Sequence, residues 1–504
     1  MSQYGEGTAT QNIYVETPED KEEISVRLSL FYDGTLNNRV NIEEREAVQL
    51  QQIGPSGEVG IFSPYNRHKG DGDTSYDNGR TNIAIMEPHL RKKSEGYEIA
   101  LKAYIEGQGT FNLKGDNRKG YALGGGDSGV ASRAEQGIER GLDKIAGQID
   151  PNDFCIKKLT IDVFGFSRGA ATARYAIHLL LKGSTKWENE DGDGYAQDVS
   201  PILELIANRG IEIQEKAVEI CFAGLYDTVL SYYGSQKLPF KWVGNLLQQT
   251  AVRHAKKTLH LAAADEHRAD FPLHNIRSAG SKGEEYFLPG VHSDVGGSYN
   301  TASELALEAE TDPNKKVFMK TTSENKIILK SSKQKKLEND MNTLVEQGWY
   351  YDDNKEIKII EHKIQKKRLN GKITTNAYFY ELEVDREGIC SAYCNIPLKI
   401  MAKYARDSEV KLKLNNKLDR RAEIILKPHD DLQALEKKIT AYISNKKGNG
   451  LSKAEDWIGD NQPLNKFLID RKIRHDHFNF SSHPGWGYTP RIKNGKRRRY
   501  VYKA

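Results

Sequence analysis

Residues 158–171, KLTIDVFGFSRGAA, decide the fold. The first nine are dominated by β-branched and aromatic side chains and read as a strand. Residues 168–181, RGAATARYAIHLLL, read as a helix that opens on small residues. Between them Gly165-Phe166-Ser167-Arg168-Gly169 fits the pattern G-x-S-x-G. In a glycine-rich chain that pattern alone is weak. A strand before it and a small-residue helix behind it supply the specificity. A serine on so sharp a strand-to-helix turn needs glycine on either side, because larger side chains would clash. Ser167 is therefore the candidate nucleophile, with Gly165 and Gly169 as its supports.

Reading outward, residues 24–31 (ISVRLSLF) alternate as a half-buried strand would, and 97–104 (YEIALKAY) form another. A helix pattern covers residues 130–149. A strand at 218–222 runs into Asp227, and one near 285–288 runs into His292. Between these, residues 251–267 read as helical. Strands alternating with helices indicate an α/β domain with a mostly parallel sheet of the α/β-hydrolase type.

A serine hydroxyl needs a base to take its proton, and the base needs an orienting acid. In this fold the chain order is Ser, then Asp or Glu, then His. Ser167, Asp227 and His292 satisfy it, each just past a strand end. Asp294 is the rival acid. His254, His260, His267 and His274 are rival bases, the first three read as surface or packing residues of the helical stretch. The backbone N–H of Arg168 is one expected oxyanion donor. The second is expected from Gly34 and Thr35 or from the glycine run 124–126, with Asp33 fixing the Gly34 turn.

Composition excludes several classes. The 504 residues carry a net charge of only +4, which argues against nucleic acid as a partner. Basic runs at 333–336, 363–368 and 493–499 read as solvated surface or as attraction to an anionic membrane face. Apolar runs fall far short of the ~20 residues of a membrane span. Residues 1–21 lack the apolar core of a cleaved secretory signal. Four cysteines make no disulfide framework. Cys390 and Cys394 are spaced C-x3-C with no histidine nearby in sequence, so neither a metal nor another cofactor is expected.

The expected organisation is a leader at 1–23 and a catalytic domain at 24–303. A Lys-rich insertion or small α+β domain with strands follows at 304–394. Residues 395–504 form helices and a tail that packs back on the catalytic domain. Residues 50–80 read as a long loop. Residues 238–247, containing Phe240 and Trp242, mix aromatic, aliphatic and lysine side chains as membrane-contacting segments do.

The motifs at 31–35 (FYDGT), 165–170 (GFSRGA), 226–229 (YDTV) and 289–297 (PGVHSDVGG) resemble the DUF2235 family, which includes phospholipase effectors of type VI secretion systems. Fragments at 73–79, 81–83 and 104–107 support the resemblance, with weaker echoes at 396–405 and 478–500. It implies hydrolysis of glycerophospholipid acyl esters (phospholipase A type) by Ser167, Asp227 and His292. It also implies synthesis in the cytoplasm and secretion without a cleaved signal. Delivery by a VgrG-like spike or adaptor into a rival cell's periplasm follows, where the toxin acts at the membrane as an antibacterial effector and a cognate immunity protein neutralises it. The competing readings are a soluble carboxylesterase acting on small esters and a non-enzymatic interaction protein of the same fold.

Overall fold

The computed structural model describes residues 21–50, 52–58, 60–69, 74–117, 126–181, 205–206, 208–214, 217–230, 247–299, 327–331, 334–352, 355–367, 373–384, 386, 389–407, 410–446, 471–481, 492–493, 496–497 and 499–502. Seven strands form the central sheet: β1 (Glu22–Tyr32), β2 (Ile99–Ile105), β3 (Phe154–Phe166), β4 (Glu212–Ile213), β5 (Val218–Tyr226), β6 (Lys257–Ala263) and, after the short β7 (Leu273–His274), β8 (Gly283–Leu288). Their order is β2-β1-β3-β5-β6-β8, with β4 pairing β3. Every pairing is parallel. The order reverses between β1 and β3, and in open α/β sheets ligands bind outside the carboxyl ends at such a switch point.

Parallel strands are covered on both faces, which changes how β1 should be read. Its alternating polar residues are buried rather than solvated. Arg27 donates to both oxygens of Asp162 on β3 (2.8 and 2.9 Å), and Ser29 donates to the same carboxylate at 3.1 Å. On one face lie helices Val130–Ala146 and Arg168–Leu181. A Cβ at Gly137 or Gly141 would overlap Tyr32 or Leu28, so these glycines let the first helix sit tight on β1.

The reading of 251–267 as helix is corrected. A 3-10 turn, Gln249–His254, is followed by strand β6, whose seven residues are all buried. A fully buried strand has no alternation, and a short apolar run cannot be told from a buried helix by period. The loop at 50–80 holds a helical turn, Pro64–His68, capped by the Ser63 hydroxyl.

Beyond the central sheet, β9 (Ile327–Ser331), β10 (Ile357–Lys367) and β11 (Ile373–Val384) form an antiparallel sheet of order β10-β11-β9 beside helix Gln334–Glu346. Leu337, Leu344, Trp349 and Leu382 share one hydrophobic cluster with Phe31 and Phe164 of the central sheet. Helices Asn395–Arg406, Lys417–Leu426, Asp430–Lys446 and Arg471–His477 follow. Two short strands, β12 (Ile492–Lys493) and β13 (Lys496–Arg497), pair antiparallel. Finally β14 (Val501–Tyr502) runs parallel to β7 in a two-stranded sheet of its own, which returns the tail to the segment between β6 and β8.

Candidate active site

Ser167 follows β3 with φ of 58°, a left-handed conformation rare outside glycine that costs about 1–3 kcal/mol and is held only by its surroundings. Those surroundings are specific. The Ser167 N–H donates to the Tyr226 carbonyl (3.0 Å), and the Ser167 carbonyl accepts from Ala170 (3.0 Å) and Val229 (3.3 Å). A Cβ on Gly165 would overlap the Gly169 carbonyl, and one on Gly169 would overlap the carbonyls of Tyr32 and Asp33. The two glycines thus clamp the turn between the helix start and the end of β1.

Asp227 follows β5, with φ of 39°. Its carboxylate is fully enclosed and four donors surround it. Oδ2 accepts from His292 Nδ1 (2.5 Å) and Arg499 Nη2 (2.8 Å). Oδ1 accepts from the Ala263 N–H (2.8 Å) and Arg499 Nη1 (2.6 Å). Burial pushes this carboxyl up, but the Arg499 charge and the His292 hydrogen bond outweigh it and hold the group well below the usual carboxylate range. A charged carboxylate only accepts, so the proton of His292 sits on Nδ1 and the lone pair on Nε2.

His292 opens the short helix His292–Gly296, and its N–H donates to Glu266 (3.3 Å). Its ring packs against Phe166 (centroids 4.6 Å apart) and edge-on to Phe271 (5.0 Å). Burial pulls the imidazole pKa below its ordinary value, and contact with Asp227 only partly restores it. The structure therefore joins Asp227 to His292 and sets His292 on the residue preceding Ser167. Among the described residues neither Ser167 Oγ nor His292 Nε2 makes a hydrogen bond. Such contacts often close only around substrate.

The turn after β1 faces the elbow. Asp33 Oδ1 accepts from the Gly34 N–H and the Thr81 hydroxyl (both 2.7 Å), and Oδ2 accepts from Tyr104 (2.6 Å). Burial raises the Asp33 carboxyl to about 6 despite these donors. Since Asp33 engages the Gly34 amide, Thr35 offers the N–H of this turn that makes no hydrogen bond among the described residues. Arg168 begins the helix behind Ser167, its guanidinium lowered by burial to about 10. Residues 124 and 125 of the alternative glycine run lie outside the described residues, as do Phe240 and Trp242.

Asp294 does not touch His292 Nδ1. It accepts from the Val291 N–H (2.9 Å) and from the Asn479 backbone and side chain (3.2 and 2.9 Å), capping the His292 helix and tying it to the tail. Burial pushes its carboxyl up to about 7. His260, expected as a surface or packing residue of a helix, is a buried packing residue of strand β6 and donates to Glu285 at 2.7 Å.

Two neighbours were not foreseen. Arg499, in a run read as solvated, is buried against Asp227. Glu266 takes both Arg268 and the His292 N–H, held well below the usual range by the Arg268 charge against a burial effect that opposes it. No motif marked Glu266, and Arg499 fell only within the weak family echo at 478–500.

Residues 67–313 match the family model described as "T6SS, Phospholipase effector Tle1-like, catalytic domain". The fold is similar to that in "Structure of the Tle1 effector bound to the VgrG spike from the Type 6 secretion system" (TM-score 0.58, 18% identity, 99% of this chain and 98% of that one). A weaker match is an uncharacterized protein from Pseudomonas aeruginosa (TM-score 0.35, 18% identity, 85% of this chain and 52% of that one). No curated protein matches the sequence significantly. Among the described residues no helix is long and apolar enough to cross a membrane. The family match spans the elbow, the Asp227 loop and the His292 loop, and over these residues the chain is similar to the Tle1-like catalytic domains of type VI secretion phospholipase effectors.

Proposed function

We propose that the chain is a serine-dependent phospholipase of the A type, with Ser167 as nucleophile, His292 as base and Asp227 as orienting acid. The observation that carries this reading is the buried Asp227–His292 hydrogen bond beside a left-handed serine just after β3. His292 Nε2 takes the proton of Ser167 as Oγ attacks an acyl ester carbon. The oxyanion is met by the N–H groups of Arg168 and Thr35. Collapse of the intermediate expels the lysophospholipid alcohol, which leaves with the proton carried by His292. Water, deprotonated by the same imidazole, then releases the fatty acid. Asp227 keeps the imidazole in the required tautomer, and Arg499 keeps Asp227 ionised.

The family match and the fold shared with a spike-bound Tle1 effector support an antibacterial role. The chain is carried on a VgrG-like spike or adaptor, reaches a rival cell's periplasm and is countered there by an immunity protein. The test compares wild type and Ser167→Ala on phosphatidylglycerol and phosphatidylethanolamine vesicles and on a monomeric short-chain ester. Fatty acid and lysolipid release by wild type alone supports the reading. Ester turnover with intact vesicles reassigns the chain as a soluble carboxylesterase.

A further inference from the structure

Away from the active site, three side chains with metal-binding atoms converge from distant parts of the chain. Cys390 precedes the 3-10 turn Ser391–Cys394, His429 lies between helices Lys417–Leu426 and Asp430–Lys446, and His477 closes helix Arg471–His477. One ligand-type atom from each lies within 4.8 Å of the other two. Cys390 Sγ stands 3.4 Å from His429 Nε2. A tetrahedral zinc, with bonds of about 2.3 Å to sulfur and about 2.0 Å to nitrogen, sets those two atoms about 3.5 Å apart.

His477 supplies the second observation. It is 4% exposed. Its Nε2 contacts the Asp431 carboxylate at 2.9 Å, while its Nδ1 is buried with no hydrogen-bond partner among the described residues. A carboxylate on one ring nitrogen is how metal-bound histidines are commonly oriented, leaving the other nitrogen for the ion. Cys390 forms no disulfide and is only half-buried, which leaves an entry path.

We propose that Cys390, His429 and His477 bind one divalent ion of the zinc class, with Asp431 orienting His477. One thiolate with two imidazoles favours zinc over the oxygen-seeking magnesium and calcium. Binding releases the Cys390 thiol proton to solvent. The ion would staple the segment that steadies the His292 loop. Just past His477, Asn479 donates to Asp294, and Ser481 donates to Glu266, the acceptor of the His292 N–H. Sequence spacing hides this site, because the histidines reach Cys390 only through the helix packing.

The test uses the full chain, stripped by a chelator, dialysed and titrated with Zn²⁺ and separately with Co²⁺. The expected result is about one equivalent bound, a cobalt–thiolate charge-transfer absorption, and a rise in melting temperature with Zn²⁺. Cys390→Ser should lose the absorption and the rise, and His477→Gln should bind at least about tenfold more weakly. Binding below about 0.1 equivalent by wild type, cobalt binding without thiolate absorption, or unchanged binding by Cys390→Ser would each overturn the assignment.

Discussion

His292 meets Asp227 at 2.5 Å, and His260 meets Glu285 at 2.7 Å. Both pairs are buried at the central sheet, and burial lowers both imidazoles. They differ at the other ring nitrogen. His260 Nε2 accepts from the Thr228 N–H at 3.0 Å, so every polar atom of that ring is used. His292 Nε2 has no hydrogen bond among the described residues and sits on the Ser167 elbow, past the strand ends. A saturated pair is structural, whereas a pair with one nitrogen left over can move a proton.

Replacing each histidine in turn separates the two roles. His292→Gln should lower kcat by on the order of 10⁶, as loss of a triad base does, with little change in melting. His260→Gln should keep activity per folded molecule within about tenfold yet destabilise by about 1–3 kcal/mol, because the buried hydrogen bonds that this ring makes to Glu285 and Thr228 are disrupted. Esterase assays with thermal melts decide it. The reverse pattern would make His260 the base.

The carboxylates give the next largest contrast. Asp227→Asn keeps shape but loses charge, and should cost roughly 10⁴ in kcat. Asp294→Asn should be milder, since Asp294 caps a helix and binds Asn479 rather than the imidazole. Circular dichroism and one ester substrate suffice. A dead Asp294→Asn beside an active Asp227→Asn would reverse the acid assignment.

How much of this was legible follows from the kind of interaction involved. The elbow could be read because its demands are local: glycines at fixed offsets, a strand before and a helix after. Asp227 and His292 could be placed as candidates because each follows an apolar run. Strand β6 was misread as helix because seven buried residues in a row carry no period, and with it His260 was misplaced. Arg499 was unreadable for another reason. Its basic run looks like any solvated charge cluster, and only the pairing of β14 with β7 turns this one guanidinium inward. Arg27 and Asp162 make the same point within the sheet. Alternating polarity signals a solvated face only when no buried partner awaits the polar residues.

A smaller effect separates Arg499 from a mere packing residue. His292 titrates below the ordinary value near 6.5, so the acid limb of the pH–rate profile should have its midpoint below about 6.5. The stability sign agrees. Below about pH 6.5 the unfolded chain binds a proton that the folded imidazole refuses, so this contribution to stability falls as pH drops. Arg499→Met removes the positive charge that competes for Asp227, and His292 then holds its proton more tightly. The acid limb should move to higher pH in that variant. An unmoved limb at lowered stability would reduce Arg499 to packing.

Covalent labelling tests Ser167 as the nucleophile directly. The full chain is incubated with a fluorophosphonate probe at pH 8, digested and mapped by mass spectrometry. One adduct is expected, on the peptide carrying Ser167, formed rapidly by wild type and far more slowly by His292→Gln. An unlabelled wild type with intact fold, or an adduct on another serine that tracks activity, would contradict that assignment.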